Sequence, residues 1–292
     1  MRNKLQPGIT IFTPTYNRAT LLPRLYESLK SQSCPELEWL IVDDGSTDET
    51  KQVVESFARE GIVNIRYLYK ENGGKHTALN AGIREASREY FLCIDSDDLL
   101  MPGGLSVLLK TIESKPAGII TYKQNLATGQ RIGDPFPEGL QTTTLLALIN
   151  TYHCGGDRTL IYRTEILQAY PIPEPPGQRF FPETWLYDRV DSSHSCLLLP
   201  LELCICEYQQ GGYSDTFRQL MLRNRLSMKW FYADRIDMPV SFSVRFDAAY
   251  RYIAFSLMAR KPQGRYRGKQ WLLLAAALPV GLAMALYYRI RK

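Results

Sequence analysis

The chain has 292 residues, 45% of them hydrophobic, and a formal net charge of +5. That size and apolar content exclude a disordered or fibrous chain and allow one sizeable core plus an appendage. The charge is uneven: residues 216–292 hold fifteen Lys and Arg against three Asp, a net +12, which leaves −7 on residues 1–215. An acidic body with a basic tail suits attraction to an anionic surface, membrane or nucleic acid, with a solvated basic face as the plain alternative.

In chain order, residues 9–13 read as a strand and residues 19–31 as a helix, with Leu21, Leu22, Leu25, Tyr26 and Leu29 at helical spacing. Strands over 37–42, 65–69, 90–94 and 118–121 follow, separated by helices over 47–60, 75–86 and 104–114. Strands alternating with helices of this length imply βαβ units and an α/β fold with a mostly parallel sheet flanked by helices. Past residue 121 the pattern is less regular. A helix over 142–149, a strand over 159–163, a short helix over 164–169 and a strand over 196–206 are expected. The proline-rich 171–177 reads as a stiff surface loop. Gly211-Gly212 marks a boundary, giving a body over 1–210 and a basic helical extension over 211–270 with helices at 217–233 and 244–260.

Residues 271–288 form an uncharged apolar segment between Arg265, Arg267 and Lys269 on one side and Arg289, Arg291 and Lys292 on the other. A short transmembrane helix, a kinked segment lying in one leaflet and a core helix all fit the length. The basic flanks and Trp271, Tyr287 and Tyr288 near the ends favour contact with a membrane surface. Residues 1–8 lack the apolar stretch of a secretory leader, and the six cysteines form no Cys-x-x-Cys pair, which fits a reducing cytosol.

The chemistry concentrates at strand-to-helix junctions. Ile94-Asp95-Ser96-Asp97-Asp98 sets three carboxylates directly after an apolar run. Carboxylates so close repel one another unless a cation or water separates them, and hard oxygen ligands suit Mg2+ or Mn2+. Three earlier junctions, Pro14-Thr15-Tyr16-Asn17-Arg18, Asp43-Asp44-Gly45-Ser46-Thr47-Asp48 and Asn72-Gly73-Gly74-Lys75-His76, are also polar. In an open α/β sheet such junctions gather along one crevice. Gly73-Gly74-Lys75 ahead of a helix can hold phosphate with backbone amides and one ammonium. The plain alternatives are helix-capping turns for residues 43–48 and a solvated lysine for the glycine turn.

In order and spacing these four motifs resemble the family 2 glycosyltransferases of the GT-A (Rossmann-like) fold, with Tyr162-Arg163-Thr164-Glu165 and Phe181-Pro182-Glu183 similar to the capsular and surface-polysaccharide branch. The resemblance implies a nucleoside-diphosphate sugar donor, UDP by family habit. It implies that Asp44 meets the base, with Pro14, Thr15 and Tyr16 framing it, and that Asp95 and Ser96 lie near the ribose. Arg18, Gly74 and Lys75 would lie near the diphosphate. It also implies a divalent cation (Mn2+ or Mg2+) on Asp97 or Asp98, with His194 a further candidate ligand. An inverting transfer to a hydroxyl needs a carboxylate base. The family supplies it from a Glu-Asp pair, here only Glu183-Thr184, so Glu183 is the expected base, with Asp188, Asp191 and Asp157 as alternatives. Phe180, Phe181 and Trp185 around Glu183 suggest an aromatic sugar platform. The acceptor expected is a growing, lipid-linked cell-surface glycan at the cytoplasmic face of the cell membrane, with no nucleic acid involved. A haloacid-dehalogenase-like phosphatase is a competing reading of Asp95-Ser96-Asp97, but Leu99 stands where that family carries Thr or Val. A nucleic-acid binder would use the basic tail and leave Asp44, Asp95 and Asp97 unexplained; a catalytically dead relative of the same fold is the remaining alternative.

Overall fold

A computed structural model describes residues 4–207, 213–259 and 266–290. Its first strand, β1 (Gln6–Thr15), alternates cleanly: Ile9 and Ile11 face one side of the sheet, Thr10 and Phe12 the other. The elements that follow are α1 (Leu22–Lys30), β2 (Leu37–Asp43), α2 (Thr50–Glu60), β3 (Asn64–Tyr69), α3 (Lys75–Glu85) and β4 (Arg88–Cys93). Then come β5 (Leu99–Leu100), α4 (Gly104–Ile112), β6 (Gly118–Asn125), β7 (Thr142–Thr143), α5 (Leu145–Asn150), β8 (Arg158–Arg163) and α6 (Thr164–Gln168). The last are α7 (Thr184–Asp191), β9 (Cys196–Cys206), α8 (Tyr213–Arg223), α9 (Arg225–Arg235), α10 (Phe242–Met258) and α11 (Trp271–Ile290).

The strands form one sheet in the order β3-β2-β1-β4-β8-β6-β9-β5, with β7 added on β9. The pairs β1–β2, β1–β4, β2–β3 and β6–β9 are parallel; β8 runs against both β4 and β6, and β5 and β7 run against β9. Thus β1, β2, β3, β4, β6 and β9 all point the same way, and their carboxyl ends share one edge. On one face Tyr26, Trp39 and Phe57 form a three-ring cluster, with centroids 6.0 Å (Tyr26–Trp39), 4.2 Å (Tyr26–Phe57) and 6.2 Å (Trp39–Phe57) apart, in one core with Ile9, Ile11 and Ile41. On the other, Phe12 stacks on Phe91 at 5.3 Å, and the missing side chain of Gly82 leaves room for the Phe12 ring.

The chain divides into two units, Met1–Pro171 with Leu186–Gln209, and Ile172–Trp185 with Gln210–Lys292. The expected Gly211-Gly212 boundary lies outside the described residues, as do Arg260, Arg265, Arg291 and Lys292. The α/β pattern holds, with local corrections. Helix α2 starts at Thr50 rather than residue 47, because Asp48 accepts hydrogen bonds from the Thr50 amide (3.1 Å) and hydroxyl (2.6 Å) and so acts as a cap. The helix expected over 142–149 opens instead as β7, and Thr144 caps the shorter α5 by accepting from the Ala147 amide. The helix expected over 217–233 breaks at Asn224, whose side chain accepts from the Arg179 amide and donates to the Leu220 carbonyl. Strand β6 runs on to Asn125, which carries Lys123 to the carboxyl edge.

Candidate active site

At the carboxyl edge of β2, Asp43 and Asp44 divide their work. Asp43 accepts from the Ser46 amide (2.7 Å) and the Tyr67 hydroxyl (2.5 Å), closing the turn after the strand. Gly45 follows with φ 89°, and a Cβ there would lie 2.8 Å from the Asn72 nitrogen, so only glycine lets this turn approach the β3–α3 turn. Asp44 is buried and accepts from Lys70 Nζ (2.6 Å), the Gly73 amide (2.9 Å) and the Gly74 amide (2.7 Å). A carboxylate has about four lone-pair sites, so one direction remains for a ligand donor. The two glycine amides are therefore turned onto Asp44, which corrects the expectation that Gly74 offers its N–H to phosphate.

The next residue continues the chain of contacts. Lys75 Nζ meets both carboxylate oxygens of Asp95, at 2.8 and 2.9 Å. Burial would raise the Asp95 pKa, but the Lys75 ammonium outweighs it, with Lys123 and Arg18 adding to the pull, and the group sits below the ordinary carboxylate range. Asp44, Gly74, Lys75 and Asp95 thus form one linked series along the edge. Asp97 behaves oppositely: burial and then the charge of Asp95 push it up. Thr15, at the end of β1, is buried, and its Oγ1 has no hydrogen-bond partner. Pro14 and Arg18 are half-buried beside it and Tyr16 is exposed; Ser96 is buried.

Asp98 faces inward. Its carboxylate accepts from Cys206 Sγ at 3.2 Å and lies 3.5 Å from Lys123 Nζ, which also pairs with Asp157 at 3.0 Å. Burial pushes Asp98 up to about 6 against the pull of Lys123. Burial works against a charged Lys123, but Asp157 and Asp98 hold it well above its usual range. This internal pairing, not a ligand, engages Asp98, the second of the two carboxylates expected on a cation. His194 is corrected. It precedes β9, whose far end carries Cys206 onto Asp98; β9 pairs with β6 from Gly118 to Asn125, and those seven steps at about 3.3 Å each put its ends about 23 Å apart. There the His194 ring is hydrogen-bonded with Ser193 Oγ at 2.9 Å.

Among the described residues no three His, Cys, Asp or Glu side chains form a group able to hold a metal ion. The donor set left is Asp97 with Asp95. Their repulsion, visible in the raised Asp97, is what a cation relieves, and Mg2+ or Mn2+ held by one or two carboxylates takes the rest of its shell from phosphates and water. The residues present fit such an ion.

The base candidates separate. Asp157 lies at the start of β8, half-exposed and on the same edge as Lys123 and Asp98. Asp191 lies at the opposite edge, where it accepts from the Leu146 amide at 2.7 Å and caps α5. Asp188 is buried within α7. Glu183 is half-buried ahead of α7, in the second unit. The aromatic platform expected around it is instead core: Phe180 and Phe181 are buried, and Phe181 packs edge-on against Trp185 and Phe231 at 6.3 and 6.4 Å.

Two lysines escaped the sequence reading, and one residue of a singled-out junction, Asn17, has a role it did not give. Lys70 grips Asp44, Lys123 neutralises Asp98, and Asn17 accepts from the Thr47 amide at 2.8 Å, stitching the first two junctions. Both lysines sit just past an apolar strand run, the position that singled out the aspartates, and that signal would have found them.

Comparison with known proteins agrees with this geometry. The family model described as glycosyl transferase family 2 matches residues 10–170, more than half of the chain. A GalNAc(5)-diNAcBac-PP-undecaprenol beta-1,3-glucosyltransferase of Campylobacter jejuni is 34% identical over 109 residues, 36% of this chain and 34% of that protein. The poly(ribitol-phosphate) beta-N-acetylglucosaminyltransferase TarS of Staphylococcus aureus is 29% identical over 177 residues, 60% of this chain and 29% of that protein. The chain thus matches about a third of the length of these relatives. A crystal structure of TarS residues 1–349 in complex with UDP-GlcNAc superposes with a TM-score of 0.64 at 19% identity, covering 94% of this chain and 80% of that one. That likeness bears on the fold. The match to the family model spans the strands and junctions that build the linked aspartates, which removes the phosphatase reading, and the chain belongs to glycosyl transferase family 2.

Proposed function

We propose that the chain moves a sugar, with inversion, from a nucleoside-diphosphate sugar, UDP by preference, to a hydroxyl of a lipid-linked cell-surface glycan at the cytoplasmic face of the membrane. The observation that carries the donor half is the continuous series Asp44–Gly74–Lys75–Asp95 along one sheet edge. Asp44 keeps one lone-pair direction for a base N–H. The buried Thr15 hydroxyl beside it is a second polar group available to the nucleotide. Lys75 and Arg18 supply positive charge for a diphosphate. Asp97 and Asp95 would hold the divalent cation, which supplies neutralisation of the charge that builds on a leaving diphosphate. The acceptor half is supported by the relatives, one of which acts on an undecaprenol-linked glycan and another on poly(ribitol phosphate).

The base is proposed to be Glu183, on its match to the family's Glu-Asp pair; Asp157 is the alternative supported by its position at the carboxyl edge. A thermal-shift panel of UDP, GDP, CMP and dTDP sugars, with and without manganese, tests the donor. A shift with UDP sugars is expected, and no shift with any nucleotide sugar would defeat the reading. E183Q and D157N then separate the bases. The true base loses about 100-fold or more in transfer while donor binding persists. Full transfer by both variants would exclude both residues.

A further inference from the structure

The apolar helix α11 does not stand alone. One side of it, Leu273, Leu274, Ala277, Gly281, Ala285 and Tyr288, is buried. A Cβ on Gly281 would lie 2.7 Å from Ile253 Cβ and 2.9 Å from the Tyr250 carbonyl oxygen, so α11 approaches α10 as closely as backbones allow. The contact is tied at one end by Arg251 Nη1 donating to the Tyr288 hydroxyl (3.4 Å) and by Arg289 Nη2 donating to the Leu257 carbonyl (3.2 Å). The opposite side is exposed and apolar up to Arg289 in the last turn: Leu272 is 89% exposed, Leu282 50%, Leu286 58% and Ile290 73%, with Leu278 on the same stripe. Monomeric proteins rarely leave so continuous an apolar stripe to water.

The stripe alone does not say what covers it; the charges around it do. Arg267 and Lys269 are exposed just before the helix, and Arg289 is exposed in its last turn. Trp271, at its start, is 61% exposed, and Tyr287, near its end, 41%. Apolar side chains framed by cations and amphipathic rings match the layering of an anionic lipid surface. A span across the bilayer is opposed by α10. Gly281, near the middle of α11, is level with Tyr250 and Ile253, which flank Arg251. Arg251 Nε donates to both oxygens of Asp247 at 2.9 Å, and Arg245 lies on the same helix. A spanning α11 would carry these charges toward the bilayer centre, where each costs about 2.5–3.5 kcal/mol on insertion scales. The alternative is to strip α10 away and open the glycine seam.

We infer that α11 is a monotopic anchor: it lies in the plane of one leaflet of an anionic bilayer, its Leu278–Leu282–Leu286 stripe inserted, with α10 packed behind it. This deepens the membrane-side reading proposed above and rests on it for its role. The test uses the full chain, tagged at its N-terminus and after Lys292. Vesicles of phosphatidylcholine with one quarter phosphatidylglycerol should float at least tenfold more protein than pure phosphatidylcholine. L278D/L282D/L286D should lose that difference at unchanged unfolding temperature, since all three side chains are on the exposed stripe. In inverted membrane vesicles from producing cells, added protease should remove both tags. A protected C-terminal tag would show a span and overturn the inference. So would equal flotation of the triple variant, or no flotation together with a dimer in sedimentation velocity that the triple variant abolishes. UDP-sugar turnover in detergent-free buffer separates the two readings: turnover without flotation sinks only the anchor, and flotation without turnover sinks only the donor reading.

Discussion

Glu38 and Asp95 are both carboxylates of the first unit, one on β2 and one just past β4, and their surroundings differ in kind. Glu38 is fully buried and accepts from Thr10 Oγ1 (2.6 Å), Arg66 Nη1 (2.7 Å) and the Ser87 amide (3.0 Å). Burial would raise its pKa, yet the Thr10 and Arg66 hydrogen bonds bring it below the ordinary value. That cluster is complete without a ligand. Asp95 has Lys75, but two residues on it meets Asp97, which burial and the Asp95 charge drive upward. The carboxylates outnumber the cation that pairs with them there. A buried acid satisfied by protein holds the fold, and an acid left in excess at a sheet edge is available to a cation and an anionic substrate together.

The comparison breaks if substitutions at the two places have the same consequence. The largest effect is expected at Asp97. D97N should lower sugar transfer by about 100- to 1000-fold, the scale of lost electrostatic stabilisation of a leaving group. Its unfolding free energy from urea curves should stay within about 0.5 kcal/mol of the parent, because the change removes a repulsion rather than a bond. Transfer rates with saturating manganese, set beside urea curves, check both halves. A D97N protein that transfers normally would put Asp97 in the class of Glu38.

E38Q should do the reverse. Removing one partner of a buried, hydrogen-bonded ion pair costs about 3–5 kcal/mol, and the low end applies because the Arg66 side chain is 37% exposed. Transfer per folded molecule should be unchanged. Urea unfolding together with turnover normalised to active sites would distinguish this from a catalytic role.

Much of this arrangement was legible from the chain. The alternation of short apolar runs with helical spacing gave the parallel half of the sheet, and the position of Asp44, Asp95 and Asp97 after those runs put them on one edge. Whether each carboxylate has partners within the protein was not legible. Asp98 looks identical to Asp97 in a string of letters, but the pairing of β6 with β9 brings Lys123 and Cys206 onto it from 25 and 108 residues away. His194 looked like a ligand because the sequence does not tell that β9 runs parallel to β6, which puts its start at the edge away from the aspartates. The glycine turn looked like a phosphate cradle because the direction of two amides is decided by Asp44, about thirty residues upstream. Local pattern reports elements and edges; long-range strand pairing decides which charges cancel.

The smallest expected effect sharpens the comparison at the opposite edge of the sheet. Asp191 caps α5 through Oδ2, while its Oδ1 is buried with no hydrogen-bond partner. Burial pushes this group up to about 6, against the Leu146 and Leu145 amides, from an ordinary 3.8. Between those two pH values the unfolded chain holds fewer protons at this site than the folded one, so stability falls as pH rises from about 4 to 6 and the penalty is complete above that. D191N keeps an oxygen for the Leu146 amide and cannot ionise. It should approach the parent as the pH falls toward 4 and exceed it by about 3 kcal/mol at pH 7.5, the scale of a shift of this size at 1.36 kcal/mol per unit. Urea curves for both proteins at pH 4.5 and 7.5 read that difference directly. A D191N protein less stable at pH 7.5 would mean that the ionised carboxylate is itself the better cap, and that the acid at this edge is completed by the protein as fully as Glu38 is.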